Sequence, residues 1–107
     1  MLHLTANNFA SETASTVSPV IVMFYADWCS KCAMMKPIAE SMERKYRSQI
    51  KFCKIDIDES VSLAETFTAN VVPTFVFFKN GQIEAVFSGI IEETIFEQRI
   101  KKIFRNC

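Results

Sequence analysis

Ala26-Asp27-Trp28-Cys29-Ser30-Lys31-Cys32 is the stretch on which the reading of this chain turns. Its two cysteines are separated by two residues. An apolar run, Val20 to Tyr25, precedes it and reads as a buried strand, because it lacks the polar alternation of a half-exposed one. The run that follows, Ala33 to Tyr46, carries Met34, Met35, Ile38, Met42 and Tyr46 at three- and four-residue spacing, which predicts a helix with those side chains in the core. A dithiol at a strand-to-helix junction is placed for thiol–disulfide chemistry. The start of a helix presents unpaired N–H groups and a partial positive charge, and both favour a thiolate.

Working outward, the chain has 107 residues, the size of one domain with a real core, and residues 1–107 are expected to form a single domain. Half the residues are apolar, with ten phenylalanines, two glycines and three prolines, a globular rather than a disordered composition. The formal charge is zero with both signs interspersed, which argues against nucleic-acid binding. The N-terminus has no basic segment followed by an apolar one, so no secretory signal is read. The longest apolar run is far below the roughly 20 residues that span a bilayer. A soluble, cytoplasmic protein without membrane contact is expected.

The remaining segments alternate strand and helix. Leu2 to Thr5 is a candidate edge strand. Asn7 or Asn8 caps a helix whose inner face is Phe9, Ala10, Thr13, Ala14 and Val17, ended by Ser18-Pro19. Pro37 lies inside the second helix and is expected to kink it. Ile50 to Ile57 is a strand, and Asp58 or Ser60 caps a short helix bearing Leu63, Ala64 and Phe67. Val76 to Lys79 and Gln82 to Ser88 flank Asn80-Gly81, a strong hairpin signal. A last helix, Glu92 to about Phe104, is expected to bury Ile95, Phe96, Ile100, Ile103 and Phe104, with its charged residues on a solvated face. The order β-α-β-α-β-α-β-β-α predicts an α/β domain: a mixed sheet of four to five strands with helices on both faces, parallel strands from the alternating units and an antiparallel edge from the hairpin.

Cysteine usage admits two chemistries. Besides Cys29 and Cys32 there are only Cys53 and Cys107. A lone Cys-x-x-Cys among alternating strands and helices reads as a redox pair. Metal binding needs two more ligands, and only Cys53, Cys107 and His3 are candidates. Cys53, in a predicted strand, reads as a small buried hydrophobe; Cys107 reads as an exposed, idle thiol, or one open to an intermolecular disulfide or glutathionylation. His3 is expected to face solvent. Trp28 suits a contact surface better than a core.

At this point the sequence resembles the thioredoxin family over nearly its whole length. Four features carry the resemblance. Trp28-Cys29-Ser30-Lys31-Cys32 is similar to the family's Trp-Cys-x-x-Cys. Pro37 matches the proline of the active-site helix. Val72-Pro73-Thr74 resembles the loop whose proline is cis beside the dithiol. Lys79-Asn80-Gly81 and Gly89 stand where the family has its hairpin turn and a late glycine.

The resemblance implies a protein-disulfide reductase with no bound cofactor other than a redox-active Cys29–Cys32 disulfide. Cys29 is implied as the exposed nucleophile and Cys32 as the buried resolving thiol. Trp28, Val72, Pro73, Ser88, Gly89 and Ile90, together with Ser30, match the surface on which the family docks an extended peptide. It further implies disulfide-bearing protein substrates, a separate flavin- and NADPH-dependent reductase as electron donor, and a monomer. A binding or assembly module with little turnover, and a dithiol oxidase or isomerase, are the alternatives.

Two departures from the family pattern stand out. Ser30-Lys31 replaces the usual Gly-Pro, and the charge of Lys31 is expected to favour the Cys29 thiolate and make the disulfide somewhat more oxidising. Met23 replaces a buried aspartate beneath the dithiol, while Lys54, which normally partners that acid, is kept, and Tyr25 stands for a tryptophan. Slower deprotonation of Cys32 is expected, unless water or another carboxylate substitutes.

Overall fold

The structure, a computed structural model, describes residues 1–14 and 17–104. Its elements are β1 (Leu2–His3), α1 (Phe9–Thr13), β2 (Val20–Tyr25), α2 (Ser30–Tyr46), β3 (Lys51–Asp56), α3 (Val61–Thr66), β4 (Thr74–Lys79), β5 (Gln82–Ser88) and α4 (Glu93–Ile103). They form one five-stranded sheet in the order β1-β3-β2-β4-β5.

Strand β2 sits in the middle because nothing in it needs water. Val20, Ile21, Val22, Met23 and Phe24 are all buried. Alternation divides them between two cores. Ile21 and Met23 point to the face that also holds Met35, Met42, Phe75, Phe77 and Phe96, from α2, β4 and α4. Val20, Val22 and Phe24 point to the opposite face, with Leu4, Cys53, Ile55, Val76 and Phe78, where Phe9 and Phe67 pack. The phenylalanines meet in tilted, edge-on and stacked pairs, among them edge-on Phe75–Phe96 with centroids 5.0 Å apart, a geometry their ring quadrupoles favour.

The direction of β4 corrects the expected sheet. β1 and β2 both run parallel to β3, as the helical crossovers α1 and α2 allow. β4 runs antiparallel to β2 and lies inside the sheet, so the third alternating unit does not add a parallel strand. The loop from α3 returns β4 beside β2 from the opposite end. The hairpin itself follows expectation: β5 is antiparallel to β4, and Asn80 and Gly81 have φ of 53° and 77°.

Several core assignments are also corrected. α1 stops at Thr13, so Val17 lies beyond the helix and is 87 % exposed; Ala10 and Ala14 are exposed too, and only Phe9 and Thr13 turn inward. Met34 and Ile95 are exposed on α2 and α4, because each helix has a single sheet-facing stripe and these positions fall at its margin. α2 continues through Pro37; the proline has no N–H to give the carbonyl of Ala33. Glu97 is not part of a solvated face. It takes the hydroxyl of Tyr46 and the ammonium of Lys45 from α2, and so ties α2 to α4. Burial, then that hydrogen bond, pushes the Tyr46 hydroxyl up to about 12, and Lys45 and Tyr46 hold the Glu97 carboxyl below its usual range. Cys53 is buried in β3 as expected, and burial pushes its thiol up to about 12. His3 is half-exposed, with Nε2 2.6 Å from Glu59 Oε1. Cys107 lies outside the described residues.

Candidate active site

Helix α2 starts at Ser30, three residues earlier than the hydrophobic periodicity indicates, with Cys29 as its N-cap. The Cys29 backbone is extended (φ −91°, ψ 109°), and its Sγ accepts a hydrogen bond from the backbone N–H of Cys32 at 3.1 Å. A cysteine thereby does the work normally done by Ser, Thr, Asp or Asn: its side chain satisfies an N–H that the helix leaves unpaired. Negative charge on that sulfur lies at the positive end of a 17-residue helix.

The same sulfur faces the Val72 carbonyl oxygen at 3.6 Å. The Val72–Pro73 peptide is cis, and Pro73 is buried beside Thr74 at the start of β4. The Pro73 carbonyl accepts from the N–H of Gly89 at 2.9 Å, and Thr74 Oγ1 lies 2.7 Å from Ser88 Oγ. These bonds hold the proline loop and the end of β5 together. Gly89 has φ of 92°, open to glycine without strain. Val72 is half-buried and Ile90 is exposed. Ser30 and Lys31 are exposed on the first turn of α2.

Cys29 is less accessible than expected. Only 8 % of it meets solvent, against 4 % of Cys32. Its sulfur is turned inward by its two bonds, toward the Cys32 amide and the Val72 carbonyl. Cys32 points into the core from the first turn. Burial, reinforced by the hydrogen bond with Cys29, pushes its thiol up to about 12, so it is protonated at neutral pH.

Beneath the pair lies a cavity of about 230 Å³, lined by Cys29, Cys32, Met23, Tyr25, Asp27 and Lys54 among others. Met23 is 97 % buried, so no acid stands at that position. The Lys54 ammonium instead lies 5.8 Å from the ring centroid of Tyr25, within cation–π range. Burial, then the charges of Asp56, Asp27 and Glu59, raise the Tyr25 hydroxyl above its usual value.

Trp28 is 68 % exposed and anchored at one edge, where Nε1 donates to Asp58 Oδ2 at 2.7 Å. Asp58 is the site residue that sequence reading assigned only as a possible helix cap; Ser60 is the cap, without a side-chain bond. The signal lay in strand register. Tyr25 pairs with Asp56 in parallel β2 and β3, so the loops leaving both strands emerge together, and Trp28 meets Asp58.

With that arrangement in hand, comparison with known proteins decides the family. The family model described as Thioredoxin matches residues 1–102. The chain belongs to the thioredoxin family. Thioredoxin of Pseudomonas aeruginosa is 29 % identical over 94 residues, covering 88 % of this chain and 87 % of that protein. Thioredoxin 1 of a Nostoc species is 30 % identical over 99 residues, 92 % of each. A thioredoxin-like protein of Synechocystis is 44 % identical over 75 residues, 70 % of this chain and 71 % of that one. As a thioredoxin-family member with the Cys-x-x-Cys pair in place, the chain is a protein-disulfide oxidoreductase. Among the described residues, no group of three or more His, Cys, Asp or Glu is placed to hold a metal ion, and no helix is long and apolar enough to cross a membrane.

Proposed function

We propose that this chain reduces disulfides in protein substrates, with Cys29 as attacking nucleophile and Cys32 as resolving thiol. The observation that carries the reading is the position of the Cys29 sulfur, which caps α2 and accepts the Cys32 N–H at 3.1 Å beside the Val72 carbonyl. The sulfur sits at a helix start, where unpaired N–H groups favour a thiolate in general, while burial keeps the proton on Cys32.

The Cys29 thiolate attacks one sulfur of the substrate disulfide. A bond forms between the protein and the substrate, the substrate's own S–S bond breaks, and the departing sulfur takes up a proton. Cys32 then loses its proton and attacks Cys29 Sγ. The Cys29–Cys32 bond forms, the mixed disulfide breaks, and the second substrate sulfur leaves as a thiol. Two electrons pass to the substrate, and the protein ends as its disulfide.

Trp28, Val72, Pro73, Ser88, Gly89 and Ile90 supply the docking surface, with Ser30 and Lys31 at its α2 rim. The exposure of Trp28, next to Cys29 in sequence, and of Ile90, next to the Gly89 that bonds Pro73, supports this assignment. Lys54 is assigned to the Cys32 side, since it lines the cavity beneath the pair. A separate flavin- and NADPH-dependent reductase returns the electrons. No bound cofactor is needed, because the exchanging sulfurs belong to the chain. A reducing compartment such as the cytoplasm suits a dithiol that must be regenerated; relatives named for mitochondria and chloroplasts share the family.

The test is turnover of a protein disulfide with dithiothreitol as donor. Wild type reduces it; Cys29→Ser loses all activity above background; Cys32→Ser, mixed with the same disulfide in the absence of dithiothreitol, accumulates a covalent adduct that dithiothreitol then releases. Full activity in Cys29→Ser sinks the assignment.

A further inference from the structure

Beside Trp28, a groove of about 500 Å³ runs between the indole and α3. Val61, Ala64 and Glu65 of α3 line it with Trp28 and Asp58, and Thr68 and Asn70 close it beyond the helix end. Its floor and walls are largely apolar, with Trp28 68 % and Val61 53 % exposed. Among the described residues, the charged groups that line it are the carboxylates of Asp58 and Glu65. Around the dithiol, charge is therefore divided. Lys31 stands on α2, the proline loop with Gly89 and Ile90 is uncharged, and the Trp28 side is acidic.

We infer that this groove is a specificity subsite for a basic side chain, arginine above all, on the substrate segment that flanks the attacked cysteine. The inference rests on the reductase reading of Cys29, and it adds the class of substrate that reading leaves open. Three features fit that occupant. The groove adjoins the nucleophile, since Trp28 is the residue before Cys29. An arginine stem is apolar and lies along Val61 and Ala64, while its head reaches the rim. The guanidinium stacks on an indole face and pairs with carboxylates in a way that a neutral side chain does not. The Trp28 Nε1–Asp58 bond holds the indole as a fixed wall, so little ordering remains for binding to accomplish.

The test uses three disulfide-bonded peptide substrates identical except for one residue beside the cysteine, Arg, Ala or Glu, each made with that residue before and after the cysteine. The readout is the ratio of kcat/KM to that of the Ala peptide. For the faster Arg isomer a ratio of about five is expected at low salt, the scale of a surface ion pair added to an exposed cation–π contact. It should fall to within twofold of one in 0.5 M NaCl, because exposed pairs are screened. Glu65→Gln should lower it similarly, and the Glu peptide should be slower than the Ala peptide. An Arg peptide no faster than the Ala peptide overturns the subsite, as does a preference that survives Glu65→Gln and high salt. If no peptide is reduced in a Cys29-dependent way, the reductase reading fails and this inference falls with it; efficient reduction of the Ala peptide with no Arg preference removes the subsite alone.

Discussion

The backbone N–H of Cys32 donates to the sulfur of Cys29, so the two cysteines of the Cys-x-x-Cys pair are joined by the bond that caps their own helix. The bond couples the chemistry to the fold. A thiolate at Cys29 strengthens the cap, and a disulfide removes the charge that the N–H and the helix end stabilise. Stabilisation of the reduced form in this way is one source of oxidising power in such pairs.

Lys31 adds to that same balance. It is exposed on the first turn of α2, two residues from Cys29. Lys31→Pro removes a positive charge near the thiolate, at a position where proline is tolerated because the N–H there has no intrahelical partner. The reduction potential, measured by equilibration with glutathione, should move about 20–40 mV in the reducing direction, on the scale where 30 mV is tenfold in the equilibrium constant. A potential that is unchanged or more oxidising removes Lys31 from the explanation.

In the proposed mechanism Met23 bears on the second step. The Cys32 thiol, pushed up to about 12 by burial, must ionise before it attacks, and no carboxylate stands at Met23 to take the proton. Resolution of a mixed disulfide should therefore accelerate steadily as pH rises from 7 to 10 in wild type. Met23→Asp should raise the rate at pH 7 by about tenfold, below the full range of general-base effects, because the new acid pays its own desolvation. Stopped-flow decay of a fluorescent mixed disulfide reads this directly. Equal rates in the two proteins would show that water in the cavity already suffices.

Trp28 is the only tryptophan, so its contact with Asp58 is open to fluorescence. Asp58→Ala removes the acceptor for Nε1 on a ring that is already 68 % exposed. The cost to stability should be about 1 kcal/mol or less, since both groups can turn to water. The effect on docking should be larger: lower emission anisotropy from a freer indole, and kcat/KM for a protein disulfide reduced about threefold with kcat little changed. Unaltered anisotropy would mean that the bond does not orient the ring.

How much of this was legible beforehand depended on whether the signal was local. The strand Val20 to Tyr25, the Asn80-Gly81 hairpin and the dithiol at a helix start follow from residues adjacent in sequence, and each stands where expected. The earlier start of α2 was hidden because its cap is a cysteine, which pattern reading does not count among capping residues. Val17, Met34 and Ile95 were misplaced because apolar spacing fixes a helical stripe but not its margins, and exposed apolar residues are common. The antiparallel course of β4, the Trp28–Asp58 bond and the Tyr46–Glu97 tie depend on how loops and helices dock, which no short window encodes. The near-burial of Cys29 belongs to the same class: its cover is built by α2 and a loop 43 residues away.

Cys53 gives the last prediction, on stability rather than turnover. Its thiol lies wholly buried in β3, and burial raises it to about 12 in the folded state from about 9. The folded form therefore keeps a proton that the unfolded chain begins to lose near pH 9. Above that pH the unfolded state binds fewer protons, so stability falls as pH rises, through a window from about 9 to 12. Cys32 and Tyr46 have folded values raised in the same sense and contribute to the same alkaline decline. Cys53→Ala deletes one of these terms. Urea midpoints measured from pH 7 to 10.5 should decline for both proteins, less steeply for Cys53→Ala, which should also start lower at pH 7 by about 1 kcal/mol for the lost sulfur packing. Parallel declines would place the alkaline sensitivity at Cys32 and Tyr46 instead.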